Sequence, residues 1–202
     1  MCYTPDIMDI EYEAKFLGID KDDMRRRLTA AGGTCVKPEF LQKRIPFDLP
    51  GDRKSKDAWV RVRDEAGRIT LSLKIVDGDR IEDQREIMLT VDNFDNAVAF
   101  LDAIGCVRKS YQETKRELWH LDGVEIMMDE WPFLDPFIEV EGPSESAVRA
   151  AAEKLGFRWE DAVFGAAGKL YFMKYGVYPD TVNRITKIVF DMENPFENLK
   201  NS

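Results

Sequence analysis

The stretch Ile10-Glu11-Tyr12-Glu13-Ala14-Lys15-Phe16 decides how this chain is read. As a strand, its period of two turns Glu11, Glu13 and Lys15 toward one face, beside the apolar Ile10 and Phe16. A row of unlike charges on a strand face is either a solvated surface or a site for metal and anion. Matching rows on other strands decide between the two.

Such rows recur along the chain. In Ala58 to Arg63, Arg61 and Arg63 share a face and leave Val60 and Val62 on the other. In Arg68 to Ile75, Thr70, Ser72 and Lys74 oppose Leu71, Leu73 and Ile75. Thr114 and Arg116 form a polar face, Asp129 lies on the side of Met127, and Glu139 and Glu141 oppose Ile138 and Val140. Patterning alone fits equally a sheet packed on helices by one face and solvated on the other. The residue types nevertheless separate. Glu11, Glu13, Asp129, Glu139 and Glu141 come from the first strand and the last two, whereas Lys15, Arg61, Arg63, Lys74 and Arg116 come mainly from the strands between. Carboxylates are hard ligands for Mg²⁺ or Mn²⁺, while Arg forks and Lys ammoniums suit phosphate oxygens. Together they suit a metal-bound polyphosphate.

Three strand, helix, glycine units surround these rows. After the first strand, Asp20 is placed to cap a helix carrying Met24, Leu28 and Ala31, which Gly32-Gly33 stops. Glu86 to Val91 reads as a strand, Asn93 as a cap, and Phe94, Ala97, Val98, Leu101 and Ile104 as a stripe ending at Gly105. Phe137 to Glu141, Ser144, the stripe Ala147, Val148, Ala151 and Leu155, and Gly156 repeat the order. Hairpins are expected at Asp64-Glu65-Ala66-Gly67 and at Asp122-Gly123, which joins Gln112–Leu121 to Val124–Asp129. Pro46 to Lys56 reads as a mobile loop. Asp161 to Tyr175 reads as a helix, Asp180 to Phe190 as a short amphipathic stretch, and Glu193 to Ser202 as a fraying tail. The fold class is therefore α+β, with about eight mostly hairpin-linked strands that can close into an antiparallel barrel decorated by helices.

Composition narrows the function. The chain has 202 residues, 44% of them hydrophobic, which is enough for a full core. A formal net charge of −9 argues against nucleic acid or acidic membranes as partners. With no long apolar run and no leader-like start, the expected location is cytoplasmic. Cys2, Cys35 and Cys106 have neither disulfide nor zinc spacing. A single histidine, His120, rules out zinc sites built on two or three of them, and no Gly-x-Ser-x-Gly elbow supports a triad. Arg25-Arg26-Arg27 reads as a solvated helix face, and Trp131-Pro132-Phe133 as a packed turn.

The ordered series resembles the CYTH, or triphosphate tunnel metalloenzyme, family, which includes class IV adenylate cyclases, thiamine triphosphatases and inorganic triphosphatases. Glu11, Glu13 and Lys15 match its Glu-x-Glu-x-Lys hallmark, and Trp59-Val60-Arg61-Val62-Arg63 its Arg-x-Arg strand. Leu71-Ser72-Leu73-Lys74 looks like its lysine strand and Thr114-Lys115-Arg116 like its later arginine. Val124 to Asp129 and Phe137 to Glu141 look like its Asp and Glu-x-Glu strands, and Lys169 sits where the family has a late lysine. Gln84-Arg85-Glu86-Ile87-Met88 and Gln42-Lys43-Arg44-Ile45-Pro46-Phe47-Asp48 depart from the family's Arg-x-Glu-x-Glu and Gln-x-Asp-x-Tyr.

The resemblance implies an eight-stranded antiparallel tunnel with charged faces inward, formed by residues 1–176, with 177–202 as a C-terminal extension. It implies an enzyme, a metal-dependent triphosphatase acting on ATP, thiamine triphosphate or tripolyphosphate, as monomer or homodimer. Glu11, Glu13 and Lys15 would be catalytic, and Glu11, Glu13, Asp129, Glu139 and Glu141 would hold Mg²⁺ or Mn²⁺. Lys15, Arg61, Arg63, Lys74, Arg116 and Lys169 would bind phosphate. The same cradle would serve a class IV adenylate cyclase making cyclic AMP and pyrophosphate, or a non-catalytic polyphosphate binder. Trp59 is either core or a platform for an organic group at the tunnel mouth.

Overall fold

Alternating apolar and polar residues give the strands β1 (Asp9–Ile10), β2 (Tyr12–Leu17), β3 (Thr34–Asp48), β4 (Ala58–Glu65), β5 (Arg68–Val76) and β6 (Gln84–Val91). They continue as β7 (Val107–Arg108), β8 (Tyr111–Leu121), β9 (Val124–Glu130), β10 (Phe137–Gly142) and β11 (Lys187–Ile188). The helices are α1 (Lys21–Ala30), α2 (Phe94–Ala103), α3 (Glu145–Lys154), α4 (Gly168–Tyr175) and α5 (Pro179–Arg184). The structure, a computed structural model, describes residues 8–51 and 58–199.

Neighbouring strands pair antiparallel in the order β1-β6-β5-β4-β3-β8-β9-β10-β2. The two ends of this path are halves of one stretch of chain, interrupted at Glu11. Asp9 pairs with Glu86 on β6, whereas Glu13 pairs with Glu141 on β10, so the first stave joins both ends of the sheet. Glu11 N donates to Gln84 O at 2.9 Å across the seam. Nine strand segments thus make eight staves, the expected antiparallel barrel.

The apolar rows face outward. Ala14, Phe16, Trp119, Ile126, Met128, Ile138 and Val140 pack with Met24 and Leu28 of α1 and Val148, Ala151 and Ala152 of α3. Ile45, Phe47 and Val62 pack with Ala97, Val98 and Leu101 of α2. Each of the Val, Leu, Ile, Phe and Met side chains among them contributes roughly 1.5–3 kcal/mol when fully buried, so the helices hold the apolar rows on the barrel's exterior. The period of two then commits the charged rows to the interior.

The caps read from sequence are the ones used. Asp20, Asn93 and Ser144 accept from the backbone N–H of Asp23, Asn96 and Ala147 at 2.7, 2.8 and 3.2 Å. At the Asp122-Gly123 hairpin both residues have positive φ, 51° and 82°, the conformation of a two-residue turn matched to strand twist. The β4–β5 turn is tighter than expected. The strands run to Glu65 and from Arg68, leaving only Ala66 and Gly67, with Ala66 held at φ 55°.

Three expectations need correction. The segment from Pro46 is not wholly a loop: β3 continues to Asp48, with Pro46 opposite Arg61 and its carbonyl accepting from Lys109 N at 2.9 Å. A proline is tolerated there because the bond made is through its C=O. Residues 52–57 of that segment lie outside the described residues. The helix expected over Asp161–Tyr175 forms only from Gly168, because Val163 is drawn into extended pairing with Lys15, exchanging hydrogen bonds at 2.9 and 3.0 Å. The tail does not fray through residue 199: Phe196 is fully buried against Phe133, Tyr171 and Tyr175. Val177, Val182, Ile188 and Phe196 join Trp131, Leu134 and Phe137 in one cluster, and β11 adds parallel to β8.

Candidate functional site

The barrel encloses a cavity of about 400 Å³ whose wall carries Glu11, Glu13, Lys15, Arg61, Arg63, Lys74, Arg116, Glu139 and Glu141. All eight staves contribute a charged side chain to this wall, so the constellation exists only when the barrel is closed. Lys74 Nζ lies 2.7 Å from Glu11 Oε2 and 3.6 Å from Glu13 Oε2. Lys15 is in contact with Glu13 and lies 3.4 Å from Glu139. Arg116 donates to both oxygens of Asp129, at 2.7 and 2.5 Å, and to Glu139 at 2.6 Å. Arg61 reaches Glu86 at 3.1 Å and Arg63 reaches Glu65 at 2.8 Å.

Burial in this wall sets the protonation behaviour. It raises the Glu11 carboxyl to about 7, although the Lys74 ammonium opposes it. Burial acts the same way on Glu139, but the Lys15 and Arg116 cations outweigh it and hold that carboxyl at about 2. Lys15, only 2% exposed, is lowered from its ordinary value by burial, against the pull of Glu139. Arg63 is pushed down to about 9 by burial and by the Arg61 and Arg116 guanidiniums beside it. These shifts describe an interior where both signs of charge are crowded and desolvated. Such a wall favours an occupant that brings metal to the acids and phosphate to the bases.

Among the described residues no three carboxylate, histidine or cysteine groups stand ready-made as a metal cluster. The lysine ammoniums are wedged among the acids instead. The donor chemistry nevertheless fits a hard divalent cation, since Glu11, Glu13, Glu139 and Glu141 offer only carboxylate oxygens. Glu11 Oε2 is buried without a directed hydrogen bond despite its proximity to Lys74.

Two residues stand otherwise than the sequence suggests. Lys169 does not reach the barrel interior. It lies on α4 at the rim of a neighbouring cleft, 3.7 Å from Asp79, with a half-exposed side chain. Asp129 is buried on the inner face, the side of the cavity-lining Met127, but both its oxygens are engaged by Arg116, where it holds that guanidinium in place. Trp59 shares the inner face of Arg61 and Arg63 and lines both the cavity and the cleft, so it is a wall residue rather than core. His120 is exposed on β8 near Glu125, with no part in the wall. Arg44 and Glu65 are interior groups that the sequence reading did not place in the site, and Glu86, on the strand that matches the family's pattern only in part, joins them. Their parity on the strands was the available signal: Arg44 pairs with Arg63 and Glu86 with Lys74.

The profile of the CYTH domain matches residues 9–161. No curated protein sequence matches the chain significantly. Among solved structures, a conserved hypothetical protein of Pyrococcus furiosus superposes with a TM-score of 0.68 at 21% identity, covering 79% of this chain and 99% of that one. A proposed adenylate cyclase of Vibrio parahaemolyticus gives 0.69 at 14% identity, over 80% and 97%. A proposed adenylyl cyclase of Hippeastrum with a dominant triphosphatase activity gives 0.53 at 18% identity, over 84% and 96%. At these identities the superpositions carry the fold, and the profile carries the kinship. With its charged rows inside a closed eight-stave barrel and three quarters of its length matched, the chain belongs to the CYTH domain family.

Proposed function

We propose that the protein is an enzyme that hydrolyses a triphosphate-containing substrate inside the barrel with Mg²⁺ or Mn²⁺. The observation that carries this reading is that one interior wall holds both a set of carboxylates and a set of phosphate-type cations. Acids Glu11, Glu13, Glu139 and Glu141 stand on the first and last strands, and bases Arg61, Arg63, Lys74 and Arg116 face the same cavity from the strands between. Glu11, Glu13, Glu139 and Glu141 would hold the metal, which supplies charge neutralisation at the phosphate oxygens when bound. Arg61, Arg63 and Arg116 cradle the phosphate chain and keep it aligned, and Asp129 fixes the Arg116 fork. Lys15 and Lys74 exchange their carboxylate partners for phosphate oxygens as substrate enters. A carboxylate of the Glu11–Glu13 set takes a proton from the attacking water. The bond from the terminal phosphorus to its bridging oxygen breaks, and the diphosphate leaves with the electron pair.

Cyclisation of ATP is the second reading, favoured by Trp59, whose place on the inner face at one end of β4 offers a stacking platform for a base. The fold shared with a structure described as an adenylate cyclase accords with the same reading. Incubation with ATP, thiamine triphosphate and tripolyphosphate, each with Mg²⁺ or Mn²⁺, separates the two by product. Orthophosphate with a diphosphate supports hydrolysis. Cyclic AMP with pyrophosphate replaces it with cyclisation, and no turnover of any of the three contradicts both.

A further inference from the structure

Arg44 stands out among the interior cations. It is 5% exposed, on β3 at the position opposite Arg63. Its Nε donates to Gln112 Oε1 at 3.0 Å, and its guanidinium lies 3.7 Å from the Trp131 ring centroid. These contacts fix the plane of the guanidinium without neutralising it. Among the described residues Arg44 forms no ion pair, and its Nη2 is buried with no acceptor. The Nε atoms of Arg61 and Arg63 are likewise buried without acceptors on the adjacent strand. Burial, with Arg61 and Arg63 close by, pushes the Arg44 guanidinium well below its ordinary value.

A buried cation beside two others is costly unless an anion completes it. An arginine keeps its charge under such pressure, so relief has to come from a ligand rather than from proton loss. Orphaned donors on three neighbouring arginines, lining one cavity, match the several acceptor oxygens of a tetrahedral phosphate group.

We propose that Arg44 is a substrate-binding residue that turns the Arg61–Arg63 pair into a three-arginine pocket for one phosphate group, and that this pocket holds a polyphosphate chain without metal. The inference rests on the reading of the cavity as a phosphate site. It adds that anion binding does not require the cation. The proposal gives Arg44 two opposed effects: it favours polyphosphate binding and burdens the empty protein. A purely structural arginine, retained for its stack on Trp131, would have neither signature.

The test uses the full chain in EDTA, with tripolyphosphate affinity read by calorimetry and melting temperature read without ligand. For wild type, binding without metal is expected. Arg44→Met is expected to weaken it about 10- to 100-fold, the loss of one charge-assisted contact, while the ligand-free melting temperature holds or rises. Arg44→Lys is expected to fall between the two, since a point charge replaces a fork. Unchanged affinity in Arg44→Met, or absence of wild-type binding in EDTA, would overturn the proposal. Because no turnover is measured, these outcomes stand apart from failure of the hydrolysis reading, which metal-dependent product analysis decides.

Discussion

Lys74 Nζ and Glu11 Oε2 meet at 2.7 Å inside the barrel, each side chain 11% exposed. The lysine comes from β5 and the glutamate from the break between β1 and β2, so the pair spans the seam that closes the sheet. Replacing Lys74 by Met leaves Glu11 desolvated and uncompensated, and leaves Glu13 with Lys15 alone. Removing one partner of a buried pair costs about 3–5 kcal/mol. Urea unfolding in EDTA is expected to show a loss of that order for Lys74→Met, partly recovered on adding Mg²⁺. Equal stability of the two proteins would mean that the ammonium does not hold the glutamates.

Trp59 tests whether the substrate carries an organic group. It borders both the interior cavity and the cleft formed with Phe164, Phe172, Tyr178 and Lys169. Stacking on one aromatic ring is worth about 1–3 kcal/mol. For Trp59→Ala, KM for ATP or thiamine triphosphate should rise about tenfold or more while KM for tripolyphosphate stays constant. A parallel rise for all three substrates would make the tryptophan a support of the barrel wall.

Arg116 is the most fully engaged guanidinium in the site, with three charged hydrogen bonds to Asp129 and Glu139. Lysine cannot reproduce that fork. Arg116→Lys is therefore expected to lose about 2 kcal/mol or more of stability and most of its turnover, with circular dichroism and product formation as the two readouts. Wild-type behaviour in both would remove Arg116 from the cradle.

The pH dependence of stability has a clean probe outside the cavity, where Lys21 at the start of α1 contacts Glu130 and bonds Glu39 at 2.6 Å. Burial pushes the Glu130 carboxyl up, but Lys21 and Lys115 more than offset it and hold it below its usual 4.5. A depressed carboxylate stabilises the fold above its unfolded pKa, and that stabilisation disappears as pH falls through the folded value. Glu130 is partly exposed, so Lys21→Met should cost only about 1 kcal/mol at pH 7. The gap between wild type and variant should narrow below pH 4.5 in denaturant titrations. A gap that stays constant across this range would assign the effect to helix packing instead.

The barrel was legible because the period of two was kept on nearly every stave, from Glu11-x-Glu13-x-Lys15 to Glu139-x-Glu141. The three caps were legible because Asp20, Asn93 and Ser144 each precede an apolar stripe. Pro46 misled because proline counts against a central strand in sequence, whereas here its carbonyl makes the bond. Lys169 misled because its place in the order along the chain resembles the family's, while Val163 pairing with Lys15 delays α4 and leaves the side chain at the rim. Arg44 has the right parity for the interior. Parity alone does not single it out in the sequence, and only the closed barrel shows that it sits against Arg63.

The most direct test of the central claim is metal-dependent release of phosphate from tripolyphosphate by wild type, Glu11→Gln and Glu139→Gln, with folding of each variant checked by its melting temperature. The account predicts turnover by wild type with Mg²⁺ or Mn²⁺, none in EDTA, and a loss of about 100-fold or more in both variants. Unchanged metal-dependent turnover in both folded variants would contradict it.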